Sequence, residues 1–473
     1  MERLYKKSSS LSIFDDYLPW TPERLNNIPD AELHNLLKTR EDVTQDQSVP
    51  ITNLMVLLYN KQHGHIDLTL FKSRRRLVEW FRLFGQSIYN LNSFFAVIHR
   101  TSSHSITKEK GINLVGYSKG QLGLGEDLRA FAKVLDRFKV SYSVFSIGHP
   151  SDNPKQYADL PESNALPYSH SIFFMNAIEL GKLIKCYSNF KAAFGYTIAV
   201  PPWELSRAPS EWQETLQQFD EVWAMSQFVH RALHPICDKL KYSAPVVLES
   251  PLSKSQVKRQ HRPFTFMYMF DSASFLSRKN PEAAIQAFLS AFPDKTTPVR
   301  LLLKSTPLQN SGSCEALLKL VGSDSRIALE TKLVSHSELD NLWGRCHCYL
   351  SLHRSEGFGR TIAEAVVRNI PVIATDWSGN TDITGPDYEL GVSYELIDVA
   401  EHEYPYSDNQ VWSEPKIADA AQKMKWVYEN QNSEDLRFIV TKLIKRYHDT
   451  FSVNATRPSV EELFDMLRID RQY

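Results

Sequence analysis

The residues with the clearest chemical potential are two glutamates, Glu356 and Glu364, in the stretch 351–382, SLHRSEGFGRTIAEAVVRNIPVIATDWSGNTD. An apolar strand at 349–352 runs into the tight turn Glu356-Gly357-Phe358-Gly359, and a short helix follows. A second apolar strand at 371–375 then ends in another glycine turn, Ser378-Gly379-Asn380. This order predicts a β-loop-α-β unit with its glycines where strand gives way to helix. Amides at a helix N-terminus offer free donors and the positive end of the helix dipole, so the loop before Thr361 suits an anion. A carboxylate on such a loop faces the reacting end of a bound ligand, whereas one on the first helical turns can accept two hydrogen bonds from a ribose diol. The two glutamates, spaced E-x7-E, take these two places. The plainer alternative is a core β-α-β unit with two solvated glutamates.

A pair of cations forms the second constellation. Arg278 and Lys279 stand directly before Asn280-Pro281-Glu282, a strong helix start with Asn as N-cap, Pro at the first position and an acid in the first turn. Two cations beside an open helix N-terminus make a diphosphate site; elsewhere they would read as a solvated pair. Lys304, at the end of the strand VRLLLK, is a natural further cation.

EGFG with E-x7-E, followed by PVIAT and SGN, resembles the donor-binding signature of retaining GT-B glycosyltransferases of family 4. The resemblance covers roughly residues 111–470, with its specific motifs at 203–228, 278–304 and 354–382. It implies an α/β chain of GT-B fold, with two Rossmann-like domains facing across a cleft and an extra helical N-terminal region. The implied reaction moves a sugar from a nucleotide diphosphate sugar to a hydroxyl, with retention and without a metal. Glu356, Arg278 and Lys279 become the catalytic candidates. Gly123, Gly125, Ser272, Lys304, Gly357, Phe358, Gly359, Arg360, Thr361 and Glu364 become the donor-binding ones, with backbone of the loop near 332–335 on the base. Relatives often carry a further Arg shortly before the Arg/Lys pair; here that place holds Asp271-Ser272-Ala273-Ser274. Two or three cations on the phosphates therefore both stay open.

The acceptor side is written less clearly. YTIAVPPWELSRAPSEW precedes FDEVWAMSQFVHRAL, and the latter resembles a stretch of bacterial family 4 enzymes in which Trp203 and Glu204 also have counterparts. Glu204 follows two prolines and a tryptophan on a rigid loop, where it either faces the acceptor or caps the loop. His170 is a second acceptor-side candidate, with a core or surface histidine as its plain reading. The implied partners are a nucleotide-sugar donor, which is a substrate and not a cofactor, and a carbohydrate, lipid-linked or protein acceptor. Envelope polysaccharide or a lipid-linked oligosaccharide is what the family implies for the product.

These residues need elements to hold them. Residues 1–108 read as a helical N-terminal extension and 109–250 as a first Rossmann-like domain. That domain opens with strand INLVGYS, the glycine turn KGQLGLGE and the helix DLRAFAKVLDRF, where Gly123 and Gly125 let a ligand or the opposite domain approach. Residues 251–262 read as a linker, 263–455 as the nucleotide-sugar-binding domain, and 456–473 as a helix returning to the first domain. In the extension, Leu77, Trp80, Phe81 and Phe84 repeat with helical period behind Lys72, Arg74, Arg75 and Arg76. A basic amphipathic helix over 72–84 can lie on an anionic membrane surface; packing of its Trp/Phe face on the protein is the favoured reading.

The remaining classes are narrowed by what the chain lacks. At 473 residues it exceeds one core, and a net charge of -1 offers no field for nucleic acid. Five scattered cysteines indicate a reducing compartment. No apolar run reaches the ~20 residues of a membrane span, and no signal h-region opens the chain, so a cytoplasmic protein is expected, with peripheral contact at the inner membrane face through 72–84 if that helix binds lipid. No two aspartates are spaced D-x-D for a divalent ion and no H-E-x-x-H offers zinc. A nicotinamide site wants a third glycine where Leu128 stands, and an acid after the second strand where Ser146-Ile147-Gly148 stands. A GT-B phosphorylase or sugar-phosphate synthase, and a nucleotide-binding module without catalysis, are the alternatives that remain.

Overall fold

The computed structural model describes residues 35–38, 40, 51–81, 108–147, 151, 159–162, 166–185, 190–249, 263–272, 274–308 and 312–455. Two six-stranded sheets organise them. The first holds β1 (Glu109–Gly116), β2 (Tyr142–Ser146), β3 (Tyr168–Phe174), β4 (Tyr196–Ala199), β5 (Glu221–Ala224) and β6 (Leu240–Tyr242), all parallel in the order β2-β1-β3-β4-β5-β6. The second holds β7 (Phe264–Phe270), β8 (Val299–Ser305), β9 (Ile327–Glu330), β10 (Cys348–Ser351), β11 (Val372–Thr375) and β12 (Gly391–Val392), also parallel, in the order β12-β11-β10-β7-β8-β9. Every residue of β7, FTFMYMF, is buried, because a parallel sheet covered by helices on both faces needs unbroken apolar strands.

The second order explains why the site lies where it does. The chain steps outward through β7, β8 and β9, then returns to the other side of β7 for β10, β11 and β12. Loops leaving β7 and β10 therefore diverge around one crevice at the carboxyl ends of the strands, where such sheets bind ligands. Those two loops carry Arg278 with Lys279 and Glu356 respectively. An antiparallel hairpin, β13 (Tyr394–Asp398) and β14 (Val411–Pro415), follows β12 and sends its connecting loop toward the first domain.

The opening turn of the first domain is shorter than its glycines suggest. Leu122 is extended and the helix Gly123–Arg137 begins immediately, so Gly123 and Gly125 lie in its first turn. A Cβ on Gly125 would come within 2.6 Å of both Gly120 O and Tyr117 O, while one on Gly123 would meet nothing within 4 Å. The close approach that Gly125 permits is to its own loop.

The long helix Glu434–Thr450 rejoins the first domain: Tyr447 Oη donates to Val247 O at 2.7 Å, and Val247 N–H to Phe451 O at 3.0 Å. The return expected of 456–473 and the linker 251–262 lie outside the described residues. In the N-terminal region the helices Asn53–His63 and Phe71–Trp80 share a small core of their own, with Leu54, Leu58, Leu77 and Trp80 buried. Arg74 is buried too, donating to Leu68 O and Thr69 O, so the apolar face over 71–81 is used for packing. Phe84 and Arg82 lie outside the described residues. Among the described residues no helix is long and apolar enough to cross a membrane.

Candidate active site

The loop that presents Glu356 is fixed from behind by the turn 378–380. Ser378 Oγ accepts the Glu356 N–H at 2.8 Å, and Glu356 O accepts the Gly379 N–H at 2.9 Å. A Cβ on Gly379 would fall 1.9 Å from Gly357 O, so the two glycine turns fit together only without side chains. From the front, a Cβ on Gly357 would meet Trp203 O at 2.8 Å, and Ser226 Oγ donates to Gly357 O at 2.5 Å. Gly357 is where the first domain closes on the second.

Across the crevice, Phe275 leads into the short helix Leu276–Lys279, and Asn280, in the left-handed region, turns the chain into the helix Pro281–Ala291. Asn280 caps as its sequence predicts, accepting the Ala283 N–H at 3.3 Å. That first-turn donor is thereby used, so positive charge here comes chiefly from the two side chains. Both converge on Glu356: Lys279 Nζ bonds Glu356 Oε1, and Arg278 Nη1 lies 3.4 Å from Oε2. Arg278 is 1% exposed and also donates to Ser355 O at 2.7 Å and Ser274 Oγ at 2.7 Å. Its Nε is buried and has no hydrogen-bond partner among the described residues.

The electrostatics follow from this arrangement. Burial pushes the Glu356 carboxyl up, but Lys279, Arg278 and His353 outweigh it and hold the group at about 2. Burial and the neighbouring Arg278 push Lys279 down, against the opposing pull of Glu356. Because the folded value of Glu356 lies below its ordinary 4.5, the stability it lends is present at neutral pH and is lost as pH falls from about 4.5 to about 2. Chemical denaturation of wild type and Glu356→Gln across that window should give converging stabilities toward the acid end. Parallel curves would show that Glu356 is not held ionised.

Glu204 joins the same cluster from the first domain. Its Oε1 is 4.0 Å from Arg278 Nη2, and Tyr404 Oη, on the loop between β13 and β14, donates to its Oε2 at 2.5 Å. Arg278 lies over the Tyr404 ring at 5.8 Å. The sequence reading missed Tyr404, whose only local signal is the aromatic turn EYPYSDN. Trp203 is a packing residue: its indole is buried, bonds Arg207 O at 2.9 Å and stands edge-on to Trp212 at 4.7 Å. His170, third residue of β3, pairs in register with Ile112, midway along β1, and with Tyr196, the first residue of β4. This puts it toward the end of the sheet opposite the crevice, so geometry removes it from the acceptor side.

The remaining donor candidates divide. Glu364, on the helix Arg360–Val367, is raised by burial, with Arg368 opposing and Glu126 adding to the rise. The Arg360 guanidinium bonds Asp127 of the first domain and Val246 O. Phe358 is buried edge-on to Phe451, and Thr361, second residue of the helix, is half-buried. Gly359 supplies φ +90 at the start of the helix, with no side-chain cap over the following turn. Ser272 ties two loops together, donating to Pro307 O at 2.8 Å. Lys304 is buried and donates to Ser305 O at 2.6 Å and Lys332 O at 2.7 Å, fixing the 332–335 loop. Gln121 reaches the same loop across the cleft, at Val334 O, 3.0 Å.

Comparison with known proteins agrees with the fold. Residues 265–439 match the family model described as Glycosyl transferases group 1. No curated protein matches the chain. Among solved structures, Anabaena HepE in complex with UDP and glucose is similar at TM-score 0.56 and 15% identity, over 76% of this chain and 100% of that one. Sucrose-phosphate synthase from Thermosynechococcus elongatus is similar at TM-score 0.55 and 13% identity, over 76% and 99%. Staphylococcus aureus TarM gives TM-score 0.46 at 12% identity, over 64% of this chain; the chain spans 56% of that protein's length. The chain has the GT-B fold and carries a glycosyl transferases group 1 domain over residues 265–439.

Proposed function

We propose that this chain transfers a glycosyl group from a nucleotide diphosphate sugar to a hydroxyl, with retention at the anomeric carbon and without a metal ion. The observation that carries this reading is the convergence of Arg278 and Lys279 at the switch point of the second sheet, with a buried Arg278 N–H that has no acceptor among the described residues. A diphosphate oxygen would satisfy it. As the bond from the anomeric carbon to the diphosphate breaks, its electron pair passes to the leaving oxygen, and two cations already fixed in place stabilise that charge. Glu356 holds the cations in position until the diphosphate engages them, and its carboxylate then accepts hydroxyls of the donor sugar. The acceptor hydroxyl attacks from the face the diphosphate leaves, and its proton passes to the departing oxygen, which leaves the anomeric configuration unchanged.

Glu364 receives the ribose diol in this reading. Hydrogen bonds to a charged group contribute about 1.5–3 kcal/mol, so Glu364→Ala should weaken binding of the cognate nucleoside diphosphate by about 10- to 100-fold. Titration calorimetry measures it; an unchanged Kd would remove Glu364 from the donor site.

A further inference from the structure

We propose that Phe275, Tyr404 and Glu204 form the acceptor subsite and that it takes a pyranose ring, so that the acceptor is a carbohydrate. This rests on the reading that the adjoining cations hold a donor diphosphate. A sugar ring presents C–H groups on one face and hydroxyls around its rim. Its site therefore needs a flat apolar surface open to water with a strong hydrogen-bond acceptor at the edge.

Phe275 supplies the surface. Its side chain belongs to a residue 39% exposed, and its backbone sits at φ 63, ψ 104, a region that bulky residues avoid. Strain of this kind persists only where the surroundings over-determine it, and it gathers at ligand-binding positions. Two constraints hold Phe275 there. Its ring lies 4.9 Å from that of Tyr404, and the chain leaves it directly into the short helix that sets Arg278 three residues on. An aromatic residue left partly exposed on a strained backbone thus lies beside Tyr404 and the charged groups it touches.

Glu204 supplies the edge. Tyr404 is buried and donates to one carboxylate oxygen, while the side chain of Glu204 keeps 21% exposure. Carboxylate, Tyr404 ring and Arg278 are contiguous, so a ring stacked on Phe275 has its rim hydroxyls at Glu204 and next to the cation that receives the leaving diphosphate. Tyr406, a second aromatic with positive φ, is 40% exposed and packs on Trp203 and Trp212 at 6.3 and 6.0 Å. Trp203 packs on Tyr404 as well, at 5.7 Å, so Tyr406 belongs to the same aromatic group.

The test uses the full chain together with whichever of UDP, GDP, ADP or dTDP raises its melting temperature. The loaded protein is applied to a printed array of mono- to hexasaccharides, to phosphatidylglycerol vesicles and to a serine/threonine-rich peptide mixture. Carbohydrate should be bound, Phe275→Ala should weaken it about tenfold, the size of one aromatic contact, and Phe275→Trp should restore it. Tyr404→Phe, which keeps the ring and frees the carboxylate, should weaken binding less than Phe275→Ala. A nucleotide shift with no carbohydrate bound, with vesicles or peptide bound in its place, or with Phe275→Ala binding like wild type, overturns the subsite while leaving the donor reading intact. No nucleotide shift at all overturns the donor reading, and the subsite falls with it.

Discussion

Lys279→Ala is expected to lower kcat by about 10²–10³-fold, the usual loss when one preorganised donor to a developing negative charge is removed. Among the described residues the ammonium meets Glu356 alone, and its charge is needed most when the diphosphate departs. An interaction realised chiefly in the transition state changes kcat more than KM. The fold should survive, because Tyr268 Oη holds the Lys279 carbonyl independently of the side chain and Arg278 still faces Glu356. Steady-state release of nucleoside diphosphate measures it, with circular dichroism to confirm folding. A kcat within twofold of wild type would show that Lys279 does not meet the leaving group.

Arg278→Met should destabilise the protein by about 3–5 kcal/mol, the usual effect of removing one partner of a buried ion pair. Arg278 ties the loop after β7 to the loop after β10 through Ser274 and Ser355, and faces carboxylates from both domains. Its loss leaves Ser355 O without that donor and Glu356 without one of the two cations paired with it. Adding Glu356→Gln removes the stranded charge, so the double variant should recover part of the loss. Urea denaturation of the four-member cycle gives the coupling. Strictly additive single losses would mean that the two side chains are not coupled.

The parts legible in sequence are those whose cause is local. Asn280 and Ser226 cap helices through bonds three residues away, and a capping side chain announces itself beside the turn it caps. Gly357 and Gly379 mark close backbone approaches that no other residue allows. What sequence hid depends on distant partners. Arg360 reads as a donor contact until Asp127 arrives from the other domain, and Glu204 stays ambiguous until Tyr404 reaches it across 200 positions. His170 shows a third limit. Whether a strand residue faces the crevice or the opposite end depends on where the strand begins, and boundaries are the least determined feature of a sequence pattern.

The measurement that bears most directly on a diphosphate held by Arg278 and Lys279 is a thermal shift of wild type and Lys279→Ala against UDP, GDP, ADP, dTDP, CMP, NAD and NADP. A ligand at 100 times its Kd stabilises by about 2.7 kcal/mol. One nucleoside diphosphate should raise the melting temperature of wild type, and the shift should shrink in the variant. A shift with NAD alone, no shift with any nucleotide, or an equal shift in Lys279→Ala would contradict the assignment.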